Sequence, residues 1–163
     1  MKYISLNHNS SPTSFMKAVI NGLAPDKGLY YPQENITLSK KFIESIKDMD
    51  DVEICYEAIN RYIGDEISKS KLIDIIDKTI SFKIPLKKID NSIYSLELFH
   101  GPTLAFKDIG AKFMAQCLDY FKSNYSSKKI TVLVATSGDT GGAVARGFLG
   151  TKDIEVCILY PKG

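Results

Sequence analysis

The sequence predicts an α/β fold, with a small, mostly helical unit first and the opening strands of a parallel, helix-covered sheet after it. Two observations carry this. "KKITVLVAT" (128–136) and "IEVCILYP" (154–161) are near-continuous apolar, β-branched runs, the mark of strands buried on both faces. The elements after residue 90 also alternate strand, helix, strand, helix, strand, which calls for crossover connections and a parallel sheet. Before residue 90 the apolar residues recur mainly at helical spacing, so the expected domains are 1–90 and 91–163.

In chain order, "KYISL" alternates as a short strand. "SPTSFMKAVINGLA" reads as a helix capped by Thr13 or Ser14, with Phe15, Val19 and Leu23 on one face and Gly22 as the stop. "APDKGLYYPQ" is a tight turn in which Pro25 suits the second position and Gly28 takes the left-handed backbone. Helices follow near 39–48, 52–63 and 67–80, the last with Leu72, Ile75, Ile76 and Ile80 on one stripe. "SIYSLELF" (92–99) reads as a strand and "HGPT" as a turn. A helix over 106–123 comes next, striped by Ile109, Phe113, Met114, Cys117, Leu118 and Phe121. After the strand 128–136, the turn "SGDTGG" feeds the short helix "AVARGFLG", and 154–161 is the last strand. A three-strand parallel sheet ending at "LYPKG" would expose apolar faces and an unpaired edge, so the sequence is expected to be the front part of a longer protein.

The totals narrow the function classes. The 163 residues carry 21 basic and 19 acidic side chains, well mixed, which gives no basic stripe for nucleic acid or an anionic membrane. The Lys-Lys pairs at 40, 87 and 128 read as solvated charge at element ends. Three cysteines, Cys55, Cys117 and Cys157, sit in apolar patterns without C-x-x-C spacing, and read as buried free thiols in a reducing cytoplasm. Two histidines with no ligand spacing argue against a metal, and no run approaches the ~20 apolar residues of a membrane span.

Two stretches could carry chemistry. "TSGDTGG" (136–142) lies between a parallel strand and a helix, the edge at which open α/β sheets bind ligands. Free N–H groups there suit an anion, Gly138, Gly141 and Gly142 permit close approach, and Ser137 and Thr140 add hydroxyls. The pattern is neither G-x-G-x-x-G nor a Walker loop, so a carboxylate or phosphate on a small molecule fits better than a nucleotide. The alternative is a plain strand-to-helix turn, capped by Asp139 or Thr140. The second stretch is "LFHGPTLAFKDIG" (98–110), which starts a helix near Lys107, where the helix dipole disfavours a cation. Apolar neighbours Leu104, Ala105 and Phe106 would push its pKa down, towards the neutral amine that Schiff-base chemistry needs. Alternatively Lys107 reaches water or pairs with Asp108. His100 reads as a structural hydrogen-bonder, and Tyr30 and Tyr31 as packing residues.

"ELFHGPTLAFKD" (97–108), "ATSGDTGGA" (135–143), "NGLAPDKGLYYP" (21–32) and the closing "ILYPKG", in this order, resemble the threonine synthase family. These are pyridoxal-phosphate enzymes with the tryptophan-synthase-β type of fold, fold type II. The resemblance implies that Lys107 carries pyridoxal 5'-phosphate as a Schiff base. It implies that Ser137, Gly138, Asp139, Thr140 and Gly141 lie against the cofactor and cradle the substrate's anionic group. It further implies a lyase that converts O-phosphohomoserine and water to threonine and phosphate, Lys107 moving protons at Cα and Cβ. Rivals within reach of the same residues are a related lyase on another phosphorylated amino acid and a non-catalytic small-anion-binding module. Three departures stand out. Lys27 replaces a glycine common in the family, and Asp139 stands where the wider fold type often has asparagine. The segments that should grip the cofactor's phosphate and ring nitrogen are missing, so the chain alone is expected to bind cofactor poorly.

Overall fold

A computed structural model describes residues 1–125 and 129–162. Lys128, at the head of the "KKITVLVAT" run, and Gly163, at the end of "ILYPKG", lie outside the described residues. The chain divides into two compact units, Met1–Asp77 and Lys78–Gly163. That division falls ahead of residue 90, because residue 90 lies in the turn of a hairpin that belongs to the second unit.

In the first unit, β1 (Tyr3–Ser5) pairs antiparallel with β2 (Tyr30–Pro32), which puts Ile4 opposite Tyr31. Helix α1 (Phe15–Asn21) is capped by Ser14, not Thr13: the Ser14 hydroxyl accepts the Lys17 N–H at 3.3 Å. A second cap comes from far along the chain. The Glu66 carboxylate accepts the Phe15 and Met16 N–H groups at 2.8 and 2.9 Å, which places an anion at the positive end of the helix. Gly22 ends α1 with a φ of 69°, while Leu23 is exposed, so the buried contact of this helix is Ala18. Helix α2 (Lys40–Ser45) runs into a 3₁₀ turn, Ile46–Asp48. Helix α3 (Asp51–Ile63) starts with a full capping box between Asp50 and Glu53, and α4 spans Lys69–Thr79. Leu72, Ile75 and Ile76 are each 1% exposed and, with Ile63 and Ile67, make the core; Ile80 falls just past the helix end. The Tyr3 hydroxyl donates to the Tyr62 carbonyl at 2.7 Å, and burial pushes its pKa up to about 12.

The turn at 24–28 differs from expectation in an informative way. The Lys27 N–H closes on the Ala24 carbonyl at 2.8 Å with Pro25 in second position, and the left-handed residue is Lys27, at φ 66°, rather than Gly28. Gly28 is needed for space. A β-carbon there would overlap the Ser5 hydroxyl and stand 2.9 Å from the Asn7 backbone nitrogen. Ser5 Oγ, wholly buried, donates to Asp26 Oδ1 at 2.6 Å, and the same carboxylate accepts from the Asn9 and Gly28 N–H groups. The Ser5 bond above all holds the Asp26 carboxyl below its ordinary pKa. Gly28→Ala should therefore lower stability by about 1–3 kcal/mol, read as a shift of the urea midpoint, because backbone and not merely a flexible side chain must move.

In the second unit, β3 (Leu86–Lys88) and β4 (Tyr94–Leu96) form an antiparallel hairpin. This corrects the three-strand expectation: the run 92–99 supplies β4 to its own hairpin and takes no part in the parallel sheet. Helix α5 (Lys107–Tyr125) buries Ala111, Ala115, Cys117, Leu118 and Phe121. The parallel sheet pairs β5 (Ile130–Ala135) with β6 (Ile154–Leu159), and α6 (Asp139–Gly147) connects them. Both strands alternate in burial instead of being covered on two faces: Leu133, Cys157 and Leu159 are exposed, while Val132, Val134, Val156 and Ile158 turn inward. Cys157 is thus an exposed thiol, contrary to the reading of all three cysteines as buried. Cys117 is buried, with its pKa pushed up to about 12, and Cys55 is half-buried. Among the described residues, no helix is long and apolar enough to cross a membrane.

Candidate active site

The approach to Lys107 is built from the "HGPT" turn. Its Leu104 N–H closes on the Gly101 carbonyl at 3.1 Å, with Pro102 in second position. Asp108, 4% exposed, turns back into this turn: Oδ2 accepts the Thr103 N–H at 2.9 Å and Oδ1 accepts the Thr103 hydroxyl at 2.5 Å. Gly101 has no room for a side chain, since a β-carbon would overlap Asp108 Oδ2 and lie 2.9 Å from the Phe82 ring. Leu104 adopts a left-handed φ of 59°, uncommon for a bulky residue. The turn is therefore stitched to the first turn of α5, and that fixes where the Lys107 side chain departs.

Asp108 is thereby spoken for, so Lys107 does not pair with it. The Lys107 ammonium instead bonds Asp139 Oδ2, from the first turn of α6, and lies 4.9 Å from the centre of the Phe106 ring. Leu104 and Phe106 are themselves exposed, so these apolar neighbours do not enclose the amine as the sequence suggests; 31% of the Lys107 side chain remains open to solvent. The hydrogen bond from Lys107, followed by one from the Thr140 N–H, holds the Asp139 carboxyl below its ordinary pKa.

The glycine loop resolves into different roles. Helix α6 begins at Asp139, so Gly141 and Gly142 are helical and the cap position is Gly138; the Asp139 carboxylate, one residue in, accepts the Thr140 N–H of the first turn at 2.8 Å. Gly141 serves packing: a β-carbon would stand 2.7 Å from Thr136 Cγ2 and 2.9 Å from Ile158 Cγ2. Of the loop's glycines, Gly138 and Gly142 face open space and leave the backbone open to close approach by a ligand. Ser137 is exposed, and the Gly138 N–H donates to Thr136 Oγ1 at 3.0 Å. Helices α5 and α6 meet at Gly147, where a β-carbon would sit 3.0 Å from the Ala111 backbone. Gly147→Ala should push the helices apart, lower the melting temperature of this unit and displace Asp139 from Lys107.

Between the two helices lies a cleft of about 490 Å³, lined by Lys107, Gly110, Met114, Thr140 and Val144 among others. Its wall is apolar apart from Lys107 and Thr140. Sequence reasoning missed Met114 and Val144 as cleft residues. Their spacing from Gly110 and Thr140, four residues along each helix, was the available signal. His100 stands apart from the cleft wall and hydrogen-bonds Glu97 Oε2 at 2.7 Å, and Tyr31 packs edge-on against His8. A single ε-amine in an apolar cleft, beside a helix start with open glycines, fits an aldehyde cofactor that also bears an anionic group.

Comparison with known proteins gives the same direction. Residues 2–80 match the family model described as "Threonine synthase N terminus". Over its whole length the chain is 44% identical to threonine synthase of Buchnera aphidicola subsp. Acyrthosiphon pisum and 39% identical to that of Escherichia coli K12. The fold superposes on threonine synthase from Escherichia coli with a TM-score of 0.90 at 39% identity. It superposes on the pyridoxal-phosphate-bound threonine synthase from Brucella melitensis with a TM-score of 0.92 at 34% identity. The chain spans 38% and 37% of the two sequence relatives' own length, and 37% and 36% of the two solved chains. A lysine at a cleft, a glycine loop paired to it and an alignment that runs the whole length of the chain agree: the chain corresponds to an N-terminal portion of the threonine synthases.

Proposed function

We propose that these residues supply the lysine and the anion-facing loop of a pyridoxal-phosphate-dependent lyase that turns O-phospho-L-homoserine and water into L-threonine and phosphate. The observation that carries this is the bond from Lys107 to Asp139, 32 residues on in sequence, with Thr140, the one residue of the 137–141 loop on the cleft wall, lining the same apolar cleft as Lys107. Pyridoxal phosphate, when bound, supplies the electron sink for the carbanions of the reaction. Lys107 would hold the cofactor and, with its amine free, would move protons at the substrate's Cα and Cβ. The start of α6, with Gly138 open beside it and the Ser137 and Thr140 hydroxyls, receives an anionic group. Met114, Val144 and the rest of the apolar wall offer the substrate's carbon chain an apolar surface to lie against. Residues 91–163 are, on this reading, the first part of the cofactor domain, and the free thiols at 55, 117 and 157 suit a cytoplasmic setting.

The cleft wall carries no cation besides Lys107, so the 163-residue chain should capture the cofactor only weakly. Incubation with pyridoxal phosphate, borohydride reduction and peptide mass spectrometry should find the adduct on Lys107. In a protein of the relatives' length, phosphohomoserine should yield threonine and inorganic phosphate in equal amounts. Reduction that marks other lysines and spares Lys107, or a full-length protein that forms no threonine, refutes the reading.

A further inference from the structure

We propose that Asp139 is a latch on Lys107: it holds the amine in an ion pair until the cofactor's aldehyde displaces it, and so acts as a positioning residue. This rests on the reading of Lys107 as the cofactor lysine. The carboxylate is set for the task by its two oxygens. Oδ1 accepts the Thr140 N–H at 2.8 Å, which ties it to the start of α6, and Oδ2 takes the Lys107 ammonium. A cation at the start of α5 works against the dipole of its own helix and needs an anion. The nearest candidate in sequence, Asp108, is buried and committed to Thr103, so the compensating charge comes from the other helix.

The consequence is chemical. An ammonium in an ion pair has no lone pair to offer a carbonyl. Cofactor capture requires the nitrogen to leave Asp139 and lose a proton to solvent. Its lone pair then forms the C–N bond, and the carbonyl oxygen departs as water. As a purely structural contact, a pair this open to solvent contributes little to stability. The latch reading therefore predicts a change in the reactivity of one lysine with little change in folding.

The test measures acetylation of Lys107 by limiting acetic anhydride at fixed pH, by peptide mass spectrometry, with the chain's other lysines as internal reference and no cofactor present. Asp139→Asn should raise the relative rate at Lys107 by roughly two- to fivefold, the range of a solvent-reached ion pair. Asp139→Glu should restore most of the protection. In the unsubstituted chain, added salt should speed Lys107 selectively, and in Asp139→Asn that salt response should vanish. Equal Lys107 rates in both proteins, or a salt response that persists without the carboxylate, overturns the latch. The salt series on the unsubstituted chain decides the matter even if a variant folds badly. Borohydride trapping separates the two claims: trapping at Lys107 with unchanged acetylation sinks the latch alone, and failure to trap there sinks the cofactor reading.

Discussion

Lys107→Ala is expected to remove the borohydride-trapped cofactor adduct from this chain and, in a protein of the relatives' length, to cut threonine formation by at least ~10²–10⁴-fold. That range is the contribution of a positioned proton-transfer group. The loss follows from the geometry, because the cleft wall offers no second amine: its other polar member is Thr140. Lys107→Arg should behave the same way despite keeping the charge, since a guanidinium stays protonated and cannot form the bond. It should retain the contact with Asp139, which separates loss of chemistry from loss of the ion pair. Steady-state phosphate release and the visible absorbance of the bound cofactor check both variants. Retention of activity by either would remove Lys107 from the reaction.

Asp108→Ala should have the largest effect on the scaffold, about 2–4 kcal/mol, because a buried carboxylate accepting two bonds from Thr103 is lost and the Thr103 N–H is left without its acceptor. The turn 101–104 would come loose from α5, and with it the direction in which Lys107 leaves the helix. Urea unfolding should show the lower midpoint, and acetylation of Lys107 should lose its difference from surface lysines. Asp108→Asn keeps one acceptor and should lose roughly half as much. An unchanged midpoint in the alanine variant would mean that the turn is held by Gly101 and Pro102 alone.

Much of the fold was legible because it depends on local rules. The helices at 69–79 and 107–125 follow from stripes at 3.6-residue spacing, and the parallel pair β5–β6 from two β-branched runs separated by a helix. What misled was composition without context. The run 92–99 looks like any other strand, but its proximity to 86–88 lets a short hairpin form before any long crossover can. The apolar runs of β5 and β6 read as buried on both faces, yet periodicity cannot say how many layers cover a sheet. Lys27 took the left-handed position expected of Gly28, and Gly28 proved necessary for a different reason, the approach of Ser5.

By itself the sequence determined the fold class and the likeness to the threonine synthases, because these rest on contiguous motifs whose residue types carry their own chemistry, and it singled out Lys107 as the candidate lysine. The tertiary structure decided which carboxylate meets that lysine. Asp108 is adjacent in the chain but is drawn into the core by Thr103, and Asp139, a helix away, is left to face the amine. Adjacency in sequence fixes only where a side chain starts. Burial and the competing hydrogen bonds decide where its charge ends up.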